Sequence, residues 1–210
     1  MSLLFSHLIV MYHWSHLFLV TNSNILSLIQ MKITKCYLES QRFMSKSNLL
    51  DNLISQNQRF SSEFSSKNVL GIAGKGLLIL TCMDSRIVPH QIFDLNAGDV
   101  KVVRNAGGQL NPEVEKDIIL ATHLLNCRTI IIMPHTKCAM ASMPLGVVQQ
   151  KLTQLSNKDF SNFKPRMIDN AEDKLRADVK SLQNNQLIND EIEILGAIYD
   201  VDTGLVNWLN

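Results

Sequence analysis

The first 31 residues contain no aspartate, glutamate, lysine or arginine. A stretch as apolar as HLIVMYHWSHLFLV, beginning at His7, invites a targeting or membrane reading, yet the marks of either are missing. It has neither the positive n-region nor the small-residue cleavage site of a signal peptide. His7, His13 and His16, with several Ser and Asn, interrupt what a membrane-crossing helix requires. Arg-rich transit character is also absent, although KITKCYLESQRFMSK is mildly basic. Met44 opens MSKSNLLDNLISQNQRF, which reads as a natural start with a soluble helix behind it. Residues 1–43 are therefore expected to be an extension outside the fold, a presequence or an overextended start in preference to a membrane anchor. Residues 44–210 are expected to form the domain. A cytoplasmic location follows, or an organellar one if the extension is a presequence.

Charge of one sign is lacking too. Lys+Arg number 20 against 19 Asp+Glu, a formal net charge of +1, so no global basic field argues for nucleic acid. Cysteine is sparse: Cys36, Cys82, Cys127 and Cys138 are too few for a disulfide scaffold in 210 residues, and a reducing compartment fits them better. No internal repeat or low-complexity tract is present. GIAGKG resembles a phosphate loop only superficially, because it precedes its strand and lacks the glycine spacing and the Ser/Thr. What remains, 46% hydrophobic and 19% charged residues, suits one globular domain with a real core.

Periodicity supplies the elements. Leu49, Leu50, Leu53, Ile54 and Phe60 fall near helical spacing. LLILTC is a short continuous apolar run of the kind buried on both faces of a parallel sheet. Val100, Val102 and Val103 form a second strand, ended by Gly107 and Gly108. Asn111-Pro112 caps and starts a helix whose inward stripe is Val114, Ile118, Ala121 and Leu125. RTIIIMPH is a third buried strand, stopped by Pro134. GVVQQKLTQL and DNAEDKLRADVKSLQ read as helices, the latter with Glu172, Asp173, Lys174 and Arg176 on a solvated face. IEILGAIYDVDTGLVNWL reads as a strand, a turn at 202–204 and a short return strand. Strand, strand, long helix, strand is the signature of an α/β fold, with a mainly parallel central sheet and flanking helices.

In such sheets ligands sit beyond the carboxyl ends of the strands. Three strand ends here are chemically loaded: LLILTC-MDSR, VKVVRN-AGG and TIIIMP-HTKC. If the strands are parallel neighbours, Cys82, Asp84 and Arg86 meet His135 and Cys138. Two thiolates and an imidazole are a zinc set, with a fourth position for water or a carboxylate. Neither CxD nor HxxC is specific alone, but together at neighbouring strand ends they are.

CMDSR, GDVKVVRNAGG and HTKCAM resemble, in order and spacing, the signature segments of the β-class carbonic anhydrases, and YDVDTGLV resembles the C-terminal strand of the family's small members. The similarity runs from about residue 48 to 209. It implies a zinc enzyme interconverting carbon dioxide and bicarbonate, with zinc-bound hydroxide as nucleophile, assembled as a homodimer or higher homo-oligomer. It implies Zn2+ on Cys82, His135 and Cys138, with Asp84 and Arg86 as the adjoining dyad. Zinc(II) with two thiolates and a neutral histidine carries no net charge, so its water should be less acidic than the ~7 of a three-histidine site. Asp84 is then a rival fourth ligand, and Arg86 a bidentate partner able to draw it away.

Other readings stay open. Cys82 and Cys138 could be ordinary buried cysteines or a disulfide. Asp84 could be a permanent fourth ligand of a closed, catalytically silent zinc module. The same metal set could serve hydrolysis of carbon disulfide or carbonyl sulfide. His90 and His123 are candidate proton shuttles, His123 having the plainer reading of a packing or surface residue. Ala139 stands where the family usually has glycine and could strain the turn; Lys137 could attract anions or point to water.

Overall fold

The computed structural model describes residues 46–66 and 68–209. The extension at 1–43, its boundary at Met44 and Cys36 lie outside the described residues. The chain divides into two compact units, Met1–Ser65 and Ser66–Asn210. In the first, α1 (Lys46–Ser62) forms where the leucine spacing predicts a helix. Its stripe is not buried: Leu49, Leu50, Leu53, Ile54 and Phe60 are all exposed. The 3.6-residue period sets helical geometry but does not name what covers the apolar face. No helix among the described residues is long and apolar enough to cross a membrane.

The second unit is built on a five-stranded sheet in the order β2-β1-β3-β4-β5. Its elements in chain order are β1 (Leu77–Cys82), α2 (Pro89–Ile92), β2 (Val100–Asn105), α3 (Pro112–Leu124), β3 (Thr129–Met133), α4 (Ala139–Ser142), α5 (Leu145–Ser156), α6 (Ala171–Gln183), β4 (Glu193–Tyr199) and β5 (Val206–Trp208). The first four strands in that spatial order run parallel, and β5 returns antiparallel to β4.

Alternation along the strands makes two cores. Leu78, Leu80, Ile130 and Ile132 pack with Val114, Ile118 and Ala121 of α3 and Leu175 and Leu182 of α6. Ile79, Ile131 and Met133 pack on the opposite face with Ile87, Ile92 and Phe93. Fully buried chains such as Leu78, Ile130 and Ile132 each contribute on the order of 1.5–3 kcal/mol through removal from water. Right-handed crossovers explain the partition. The chain leaves β1 toward β2, then crosses back over β1 to β3, so the winding reverses between β1 and β3. That reversal point is where an open parallel sheet forms its ligand crevice.

Two details fix the ends of the strands. Asn111 caps α3 as its position predicts, its side chain accepting from the N–H groups of Glu113 and Val114 at 3.0 and 3.1 Å, with Pro112 in the first turn. The turn after β2 lies against β1 through Gly107 and Gly108, both at positive φ (89° and 64°). A β-carbon at Gly108 would sit 2.8 Å from Cys82 N and 2.9 Å from Thr81 C, so only glycine lets the backbones meet.

The helix α6 departs from the solvated face expected of its charge-rich sequence. Glu172 and Arg176 do pair on the surface, but Asp178 is 6% exposed. Its Oδ2 accepts from the buried Leu110 N–H at 3.0 Å, and its Oδ1 pairs with Lys174 Nζ. The chain leaving the Gly107-Gly108 turn needs that acceptor, because a buried N–H without a partner is costly.

Asp178→Ala should therefore lower the free energy of unfolding by about 2–3 kcal/mol. Asp178→Asn, which keeps an acceptor, should lose less; urea titration of the two variants distinguishes them. Gly108→Ala should cost about 2–4 kcal/mol in the same titration, from positive φ and backbone overlap together.

Candidate metal centre

Parallel pairing of β1 with β3 carries Thr81 opposite Met133, and the Thr81 hydroxyl donates to Met133 O at 2.6 Å. Both strands thus end level. Cys82 is the last residue of β1, while His135 and Cys138 follow β3. Their ligand atoms lie within 4.8 Å of one another, and the three residues are 5%, 2% and 4% exposed. Cys82 and Cys138 are free thiols, so the disulfide alternative is not formed.

The polar surroundings are specific. Cys82 Sγ accepts from Gly107 N–H at 3.3 Å. The two thiols share a proton unequally: the hydrogen bond from Cys138 draws the Cys82 thiol down, helped by backbone hydrogen bonds at Asp84 and Gly107. The same partner, with burial, pushes Cys138 up. His135 Nδ1 lies 2.8 Å from Thr136 O. A carbonyl only accepts, so Nδ1 carries the proton and Nε2 presents its lone pair. Among the described residues, His135 Nε2 is buried without a hydrogen-bond partner. A buried imidazole nitrogen left bare beside two sulfurs is the donor set of a soft-ligand zinc site, and the residues fit such an ion.

Asp84 and Arg86 stand at the rim. Arg86 Nε and backbone N–H both donate to Asp84 Oδ1 at 2.9 Å, and an Arg86 terminal nitrogen donates to Oδ2 at 2.7 Å. This fork holds the Asp84 carboxyl well below the usual carboxylate range, the Arg86 guanidinium being the first cause. Asp84 Oδ2 is also 3.8 Å from His135 Nε2. An open hollow of about 320 Å³, lined by Arg86, Val88, Gln91, Ile92, Tyr199 and Gly204, lies against the guanidinium.

All five residues singled out by the sequence are thus brought to one place. The glycines of RNAGG have the expected role of close backbone approach, with Gly107 N–H as an added donor to sulfur. His123 takes its plainer reading as a surface residue of the helix, while Lys137 and Ala139 differ from their expectations. His123 Nε2 lies 2.8 Å from Leu187 O, on α3. Lys137 points neither to the donors nor to bare water but to Asp202, at 2.5 Å. Ala139 is exposed in the first turn of α4, where a β-carbon is unstrained; the positive φ falls at Lys137 instead.

Sequence reasoning passed over two residues. Arg104, at the end of β2, donates to Cys82 O at 3.0 Å and Asp84 O at 2.6 Å, clamping the backbone that carries both side chains. Gln109, 3% exposed, donates to Ala106 O and Arg166 O and ties the glycine turn to the chain before α6. An arginine near the end of a valine-rich strand, just before the glycine turn, was a readable signal for the first. Nothing local marks the second.

A family model described as carbonic anhydrase matches residues 77–206, the stretch that holds Cys82, Asp84, Arg86, His135 and Cys138. A carbonic anhydrase of Streptococcus mutans is similar in structure with a TM-score of 0.69 and 30% identity, over 77% of this chain and 97% of that one. The β-carbonic anhydrase 1 of Mycobacterium tuberculosis is 25% identical over 133 residues, 63% of this chain and 81% of the relative. A carbon disulfide hydrolase of Acidianus is also 25% identical, over 165 residues, 67% of this chain and 81% of the relative. With a matching family segment, matching parallel sheet and a Cys-His-Cys cluster at its reversal point, the chain belongs to the β-carbonic anhydrase family.

Proposed function

We propose that the chain catalyses the reversible hydration of carbon dioxide to bicarbonate, with Cys82, His135 and Cys138 holding zinc and Asp84 and Arg86 acting as a gating and orienting dyad. The observation that carries this reading is the placement of Asp84: within 3.8 Å of the bare His135 Nε2, yet forked onto Arg86. Zinc bound by those donors would supply the Lewis acid that makes a hydroxide nucleophile from water near neutral or alkaline pH.

The residues divide the remaining work. Arg86 withholds the Asp84 carboxylate from the metal position by satisfying both its oxygens. Asp84, kept ionised by that fork, is an acceptor only; it takes the O–H of the attacking hydroxyl and turns its lone pair toward the substrate carbon. The Arg104 clamp on the carbonyls of Cys82 and Asp84 keeps thiol and carboxylate in fixed relation. The hollow beside Arg86 gives a small uncharged substrate access, and a cationic wall suits departure of an anion. A homodimer or higher homo-oligomer belongs to the same proposal, with light scattering as its test.

A second reading is hydrolysis of carbon disulfide or carbonyl sulfide, favoured by the likeness to the Acidianus enzyme. A third, a silent zinc module, requires Asp84 to leave Arg86 permanently, against the fork described above.

Stopped-flow hydration of carbon dioxide, with zinc quantified in the same sample and carbon disulfide turnover measured alongside, separates the three. Hydration with stoichiometric zinc is expected; zinc with turnover of carbon disulfide alone supports the second, and zinc with neither the third. Arg86→Ala should retain zinc while hydration falls about 100-fold or more, because the acceptor is misplaced; loss of zinc would refute the gating role. Asp84 is ionised well below neutrality, so its protonation cannot shape the profile above pH 6. Hydration should instead rise from neutral to alkaline pH, as a neutral two-thiolate site demands; a flat profile counts against it.

A further inference from the structure

The donor loop at 134–138 has no helix or strand of its own before α4, and its backbone is unfavourable at Lys137, a non-glycine residue with φ of 56°. Even so it must deliver His135 Nε2 and Cys138 Sγ to one point. What holds it is Tyr199, the last residue of β4, bridged in parallel to His135, and the turn that follows toward β5. Tyr199 N–H donates to Pro134 O at 2.9 Å, and Thr136 N–H donates back to Tyr199 O at 2.9 Å. Val201 N–H donates to Thr136 Oγ1 at 3.1 Å. Lys137 Nζ pairs with Asp202 Oδ2 at 2.5 Å.

The turn is ordered by its own bonds. Asp200 Oδ1 accepts from the N–H groups of Asp202 and Thr203, at 2.8 and 3.1 Å. Gly204 N–H donates to Asp200 O at 2.8 Å, and Asp200 N–H to Leu205 O at 2.8 Å. A self-ordered turn is therefore fastened to the donor loop where it leaves the sheet. Thr136 is where the fastenings join. Its N–H and hydroxyl face the turn, while its carbonyl receives the His135 Nδ1 proton and thereby fixes ring orientation and tautomer.

We propose that the turn at 199–204 braces the metal-donor loop and that Thr136 is a positioning residue whose hydroxyl, acting through His135, sets how long the ion is retained. This rests on the zinc reading above. The Lys137–Asp202 pair contributes less, since its side chains are 63% and 57% exposed and water screens them. Thr136→Val keeps the shape of the side chain and strands the half-buried Val201 N–H.

Zinc release from the purified protein into excess chelator tests it. Thr136→Val should release zinc about tenfold faster than the native chain, and Thr136→Ser, which restores the hydroxyl, should release it at the native rate. Lys137→Asn, which tolerates positive φ, and Asp202→Asn should each accelerate release by about two- to fivefold. A native rate in Thr136→Val overturns the brace, as does fast release from Thr136→Ser. Should Thr136→Val not fold, unchanged rates in both Lys137→Asn and Asp202→Asn overturn it. A native protein without zinc overturns the metal reading and the brace together; native zinc with an unaltered Thr136→Val rate overturns the brace alone.

Discussion

The parallel hydrogen bonding of β1 to β3 is the constraint on which everything else rests. Neither strand carries a complete set of donors. Cys82 belongs to one, His135 and Cys138 to the chain leaving the other, and 52 positions separate Thr81 from Met133 at the β3 end by way of β2 and α3. Only level strand ends bring sulfur, nitrogen and sulfur within 4.8 Å. Register is secured by burial on both faces, since a slip of one residue would exchange the Leu78/Leu80 face for the Ile79 face along the whole strand. The Thr81 hydroxyl on Met133 O adds a lock at the very end where the slip would matter.

Around that lock the site separates what must stay from what must move. The donor residues are 5% or less exposed and are held by backbone: Gly107 N–H on one sulfur, Thr136 O on the imidazole. The Asp84 and Arg86 side chains are 21% and 48% exposed and fork onto each other. A carboxylate held by a half-exposed guanidinium and one backbone N–H has partners it can leave without opening a cavity. A buried sulfur does not. Under the proposed function, affinity would belong to the interior and switching to the rim, a division that burial alone suggests.

Much of this was legible in the sequence because the apolar runs end where the chemistry begins. LLIL and TIII name buried strands, and the crossover helix between them makes parallel neighbours the expected arrangement. What stayed hidden depends on partners far along the chain. Asp178 sits in a helix full of surface charges, and its burial follows from the orphan N–H of Leu110, 68 residues earlier. Thr136 reads as a spacer in HTKC until the turn at 199–204 supplies Val201 N–H. The reverse error occurred at Ala139, where departure from glycine suggested strain; the left-handed residue is Lys137, and no composition rule moves positive φ by two positions. In α1 the period announced a helix correctly and left its covering unstated.

The choice between carbon dioxide and carbon disulfide lies outside the donor set altogether. Both are linear, uncharged molecules with an electrophilic central carbon, so two thiolates and an imidazole present the same Lewis acid to either. The products differ. Hydration of carbon dioxide yields an anion and a proton, whereas complete hydrolysis of carbon disulfide yields carbon dioxide and hydrogen sulfide, largely uncharged where the latter keeps its protons. A hollow lined by the Arg86 guanidinium together with Val88, Gln91, Ile92 and Tyr199 combines apolar and cationic surface, which suits a reaction that must admit an apolar molecule and let an anion out. The fork from Arg86 to Asp84 tempers that positive field without abolishing it, because the cation is the more exposed member of the pair. Selectivity between the two substrates is therefore a matter of the surroundings of the donor set, not of the donors themselves.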